Sequence, residues 1–288
     1  MPFDDLPVEL AALIEREIGL WKNSAIAPLI LVSRAYRQTF TCLLYRTVVL
    51  SNARSFAAFL SLADAGEENI LLLEHVRSLS IWRAADEPDY VDYLAHGPAI
   101  INACPNLVNL QLAPLLAPAD LLLLALKPRI QRIWTYDTTM GASLLSDRPT
   151  VLTLNSPATH LHVADIDSFT ITASVSQNAF PCLAVFSTTC PGWFATPVAA
   201  RVAQAIGNVL KLPTISRVVV HLMCAKGTDY KSCTVRQALR DLDDARVFAV
   251  AATPELQTQW RITGLDMWRR DVTGLDSMWE TGEQLCPA

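Results

Sequence analysis

The chain has 288 residues, 51% of them hydrophobic and only 18% charged, with a formal net charge of −5. It can supply a substantial apolar core, and its length suits a small module plus one large domain. The acidic balance gives no basic footprint for a phosphate backbone. The longest apolar runs, Leu121–Leu126 and Ala25–Val32, are far too short for a bilayer span. Neither nucleic acid nor membrane is therefore expected as a partner.

From the N-terminus, Asp4 and Asp5 precede Leu6-Pro7, an acidic start with proline in the first turn of a helix. Leu6, Leu10, Ile14 and Ile18 recur every four residues and form one apolar stripe, opposite Glu9, Glu15, Arg16 and Glu17. Gly19 breaks the pattern. Asn23 or Ser24 caps a short second helix through Ile26, Leu29, Ile30 and Val32. Ser33 caps a third, with Tyr36, Phe40, Leu43 and Leu44 on its apolar side. Three short helices cannot bury all this surface among themselves. The leftover face expects a partner.

Taken in order, Leu6-Pro7-Val8-Glu9-Leu10, Leu31-Val32-Ser33-Arg34 and Leu44-Tyr45-Arg46 resemble the F-box. That family's three-helix module docks proteins onto the Skp-type adaptor of cullin–RING ubiquitin ligases. The resemblance implies that residues 1–50 bind the adaptor, with Leu6, Pro7, Leu10, Ile14, Leu31, Val32 and Tyr45 marking the docking unit. Tyr36 stands where the family often has tryptophan, and Gly19–Asn23 replaces the usual leucine-rich end of the first helix.

Residues 51–255 read as an irregular repeat of short apolar strands and crossovers. Strands centred on Leu79, Leu110, Ile133, Leu161, Val185, Val218 and Phe248 recur, by subtraction of these positions, every 23–33 residues. Leucine-rich repeats run at about 20–29. Cys104-Pro105-Asn106-Leu107-Val108-Asn109-Leu110-Gln111-Leu112 carries the Leu-x-x-Leu-x-Leu rhythm most clearly. An open parallel α/β sheet also alternates strands with helices, but its strands should be apolar on both faces. Here Ser78, Ser80 and Trp82 alternate with Leu79 and Ile81, and His160 and His162 with Leu161 and Val163. One apolar and one polar face favour an α/β fold in which a parallel-stranded, leucine-rich-repeat-like solenoid follows the three-helix module.

In that phase the polar positions line a solvent-facing concave row that would bind a target protein. The row comprises Ser80, Trp82, Asn109, Gln111, Arg132, Trp134, Tyr136, His160, His162, Phe186, Arg217 and His221. Trp, Tyr and Arg are frequent binding anchors. Residues 256–288 form the last segment, in which Ile262–Trp268 (Ile-Thr-Gly-Leu-Asp-Met-Trp) is echoed by Val272–Trp279 (Val-Thr-Gly-Leu-Asp-Ser-Met-Trp). Such an aromatic tail, holding Trp260, Trp268 and Trp279, suits a terminal cap over the last repeat. It also resembles the Trp-containing tails of many fungal F-box-like proteins.

Signals for chemistry are sparse. Nucleophile-elbow, P-loop and dinucleotide fingerprints are missing. His160 and His162 share a strand face near Asp165 and Asp167, but no upstream Cys or His completes a zinc set. Seven cysteines without Cys-x-x-Cys suit buried thiols in a reducing compartment. Asp241, Asp243 and Asp244 read as a solvated turn. Met1-Pro2-Phe3-Asp4-Asp5 lacks signal-peptide regions, so a cytoplasmic or nuclear protein is expected. The expectation is a substrate-recognition subunit of an SCF-type ubiquitin ligase: not an enzyme, with no cofactor or metal, joining the adaptor and its cullin to a target. The alternatives are a scaffold that does not promote ubiquitylation, a repeat-only interaction protein, or an enzyme on an α/β sheet.

Overall fold

The computed structural model describes residues 27–31, 34–64, 71–81, 96–112, 129–135, 156–164, 180–192, 194–224, 229–251, 260–273, 277–280 and 282–286. Leu6, Pro7, Leu10, Ile14, Val32, Trp82 and Tyr136 lie outside these residues. The chain is α/β, and its nine described strands follow one another across the sheet in chain order, β1 to β9. Every described register is parallel except the last, β8 with β9. The order does not reverse, as a doubly wound sheet's would. Among the described residues no helix is long and apolar enough to cross a membrane.

The chain divides into two compact units. The first comprises Met1–Asn109 and Arg269–Asp276, the second Leu110–Trp268 and Ser277–Ala288. In the first unit a short 3-10 helix, Ala27–Leu31, precedes α1 (Arg34–Arg46), which runs directly into β1 (Thr47–Leu50). Helix α2 (Ala53–Asp64) starts on a reciprocal cap. The Ser55 N–H donates to Asn52 Oδ1 at 2.9 Å, and the Asn52 N–H donates to Ser55 Oγ at 3.2 Å. This satisfies two of the donors that every helix start leaves unpaired. Phe56 and Phe59 are its buried positions, three residues apart on one face. Strand β2 (Ser78–Ile81) pairs with β1, α3 (Gly97–Ala103) follows, and β3 spans Asn109–Leu112. The Arg77 carbonyl accepts from the Val108 and Asn109 amides at 2.9 and 3.0 Å, which fixes the start of β3 beside β2.

In the second unit β4 (Arg132–Thr135), β5 (His160–Ala164), β6 (Val185–Pro191), β7 (Arg217–Met223) and β8 (Val247–Ala251) pair in succession. Helix α4 (Thr196–Leu210) links β6 to β7, and α5 (Thr234–Arg240) links β7 to β8. Pro197 sits in the first turn of α4, where its missing N–H costs nothing. Ala199, Val202, Ala203, Ile206, Val209 and Leu210 form its buried stripe at helical spacing. The turn into β8 is clamped by Arg246. Its guanidinium bonds both Asp244 carboxylate oxygens, at 2.9 and 2.6 Å, and also donates to the Ile215 and Leu210 carbonyls. Asp241 and Asp243 are exposed as a solvated turn requires, but Asp244 is bound into the fold. Helix α6 spans Trp260–Thr273, and β9 (Glu283–Gln284) lies antiparallel on β8.

The register corrects the expected strand phase. Ile133, Leu161, Phe186, Val218 and Val247 stand side by side across β4–β8. One residue on, Trp134, His162, Ser187, Val219 and Phe248 form the next row, and it faces the other way because successive side chains alternate. Phe186 thus belongs to the apolar face and is 0% exposed. It is a packing residue, not part of a solvent-facing row.

Phe186→Ala is therefore expected to lose about 3–5 kcal/mol in urea unfolding, the cost of a buried phenyl and its cavity. A loss within about 0.5 kcal/mol would mean that the ring faces solvent.

Candidate functional site

The residues expected to bind a target divide into those the fold brings together and those it hides. Arg132, Trp134, His160, His162, Arg217 and His221 do share one face of the second unit, as strand alternation and register require. That face is not open. Trp134 and His162 are 1% exposed and His221 3%. Gln111, also expected on the wet side, is buried. Arg132, His160 and Arg217 are half-buried.

Among the described residues, the Ser277–Glu280 turn lies over this face. The Trp279 ring stands edge-on to Trp134, with centroids 5.9 Å apart, and edge-on to His160 at 5.0 Å. It also approaches His162 at 6.4 Å. Beneath it the His162 and Trp134 rings lie 4.4 Å apart, and His221 lies 6.1 Å from His162. These separations match the tilted and edge-to-face geometries that aromatic quadrupoles favour. The turn is held from outside the cluster too. The Arg217 guanidinium donates to the Glu280 carbonyl at 2.9 Å and lies 3.6 Å from the centroid of the Phe248 ring. The Arg236 guanidinium pairs with the Glu283 carboxylate at 3.0 Å and sits over the Tyr230 ring. Gly282 has φ +118°, and a Cβ there would lie 2.9 Å from Val250 Cγ2. Only glycine fits both that backbone and that space.

Electrostatics follow from the cover. Burial pushes His221 down to about 4, against an upward pull from a hydrogen bond with the Met278 backbone. Burial and the nearby Arg132 charge bring His160 to about 4, and burial with His221 alongside holds His162 well below 6.5. The rings are neutral at pH 7. His162 Nδ1 shares a 2.8 Å hydrogen bond with Ser187 Oγ, and His160 Nδ1 another with Thr159 Oγ1 at 2.8 Å. Those nitrogens are engaged by hydroxyls, and among the described residues no group of three or more metal-ligating side chains converges. Asp165 and Asp167 lie outside the described residues. The cluster is built to pack aromatic and imidazole rings under a turn.

Sequence reasoning missed Met278, Trp279, Glu280 and Ser187 as members of this site. The signal is present in the Trp-containing echo of 262–268 and 272–279, the segment expected to cap the last repeat. The Trp279 ring packs on a sheet face, while the two-residue β9 covers the β8 edge. Comparison of the chain with protein-family models, curated proteins and solved structures finds no match.

The imidazoles make stability pH-dependent. Between about pH 6.5 and 4 the unfolded chain binds protons that His221 and His160 refuse when folded, so stability falls as pH drops through this window. At 1.36 kcal/mol per pH unit, His221 alone contributes roughly 3 kcal/mol of that loss. Urea unfolding at pH 7 and pH 4.5 should show the decline, and His221→Gln should show a smaller one. An equal decline in both chains would contradict this account.

Proposed function

We propose that the chain is the substrate-recognition subunit of an SCF-type ubiquitin ligase. Residues 1–50 act as the F-box that docks a Skp-type adaptor, and residues 51–255 act as an irregular leucine-rich-repeat-like domain that holds a target protein. The observation that carries the reading is Leu31. It begins the Leu31-Val32-Ser33-Arg34 motif, ends a 3-10 helix and is 76% exposed. Nine residues on, Phe40 in α1 is 1% exposed, so the helix has its own packed side while Leu31 is left in water. The F-box resemblance assigns this leucine to the adaptor. Burying such a side chain at a contact contributes about 1.5–3 kcal/mol.

The repeat reading draws support from strands in chain order with parallel registers. The target surface differs from the concave row read in the sequence, because Trp134 and His162 lie against Trp279 and His221 is buried beside His162. A target meeting this face as it stands would touch its half-buried margin, Arg132, His160 and Arg217.

Leu31→Ala should weaken adaptor binding by roughly 10–100-fold in a titration with purified adaptor, with the unfolding midpoint unchanged. Leu6→Ala with Pro7→Ala should abolish co-purification of adaptor and cullin from lysate. Unchanged affinity in the first experiment together with unchanged co-purification in the second would refute the F-box assignment. Adaptor recovered without cullin would point to a scaffold in place of a ligase subunit.

A further inference from the structure

Cys224 directly follows β7, and Cys233 is the residue on which α5 begins. Nine positions apart in sequence, they match no thiol motif, yet their Sγ atoms lie 3.2 Å apart. Both residues are buried, at 7% and 3% exposure. Carbon atoms in van der Waals contact rest about 3.5–4.0 Å apart, and sulfur is larger, so this is a close approach. Three neighbouring features favour it. Cys233 occupies a helix N-cap, where Ser, Thr, Asp or Asn would bond the first turn, but its side chain makes no capping bond. Gly192 leaves the space the sulfur fills, since a Cβ there would lie 2.9 Å from Cys233 Sγ. The Gly192 amide donates to the Met223 carbonyl at 2.7 Å, which fixes that gap beside the end of β7.

We propose that Cys224 and Cys233 form an oxidisable dithiol that closes to a disulfide with hydrogen peroxide as the oxidant. Both thiols are reduced here. Burial and the neighbouring Cys224 thiol push the Cys233 thiol up to about 12. The Cys224 sulfur attacks one peroxide oxygen and gives up its proton. An S–O bond forms, the O–O bond breaks and the leaving hydroxide takes a proton to become water. Cys224 is thereby oxidised to a sulfenic acid. Cys233 sulfur then attacks that sulfur, forming S–S and breaking S–O, and the leaving hydroxide with the Cys233 proton makes a second water. Two thiols and one peroxide give one disulfide and two waters. The product would staple the end of β7 to the start of α5.

The test uses the intact chain, with exposed Cys182 and half-buried Cys286 replaced by Ser to silence competing thiols. After graded hydrogen peroxide and quenching by alkylation, peptide mapping should find the peptides holding Cys224 and Cys233 joined. Their summed mass should be lower by two hydrogens and restored by dithiothreitol. Cys190, also buried, should stay alkylatable on unfolding. The proposal is overturned if both cysteines remain free thiols after peroxide, if either ends as sulfinic or sulfonic acid without a linked product, or if Cys224 pairs with Cys190 instead. The unsubstituted chain, mapped the same way, serves as the second measurement and should give the same linked pair.

Discussion

The second unit depends on one contact, the Trp279 ring lying on the imidazole and indole rings of β4 and β5. A parallel sheet with a face of Arg132, Trp134, His160, His162 and His221 cannot bury that face with apolar helices alone, because its side chains carry polar atoms. An aromatic turn resolves part of the conflict. Its edge-to-face contacts contribute about 0.5–1.5 kcal/mol per pair beyond the area they bury. The burial also costs. Trp134 Nε1 and His221 Nε2 have no hydrogen-bond partner among the described residues, and a buried unsatisfied polar atom costs about 1–3 kcal/mol. The anchors outside the cluster, Arg217 to Glu280 and Arg236 to Glu283, therefore matter more than surface contacts usually do.

This arrangement also explains the depressed imidazole basicities. Each ring is held neutral chiefly by loss of water, and the water is excluded by the turn. Packing and protonation are thus one property of the site. Whatever removes Trp279 should return the histidines toward their ordinary behaviour.

Much of the strand pattern could be read from sequence because apolar runs at repeated spacing report burial directly. The centres Leu79, Leu110, Ile133, Leu161, Val218 and Phe248 each fall within a strand. Val185 proved to be the first residue of its strand, and that offset is how Phe186 came to be placed on the wrong face. Period-two alternation fixes which residues share a face but not which face is wet. The Ser78, Ser80 and His162 positions looked solvated because they are polar, yet Ser78 accepts from Asn109 Nδ2 at 2.9 Å and His162 bonds Ser187. Their partners come from neighbouring strands in the chain, about 25–31 residues away, which no local pattern reports. Strand β1 escapes sequence reading because the three apolar residues after Thr47, directly behind α1, continue that helix's composition. Strand β9 has two residues and no pattern at all. The site was legible as a set of residues and illegible as a covered surface, because the cover is a turn more than a hundred residues downstream of β5.

The most direct test of the covered face is hydrogen exchange followed by mass spectrometry on the intact chain and on Trp279→Ala. Peptides spanning β4, β5 and β7 are expected to lose protection in the variant, while α1 and α2 exchange as before. Unchanged protection across β4, β5 and β7 would contradict this expectation, because the turn would then rest on a face that stays closed without it.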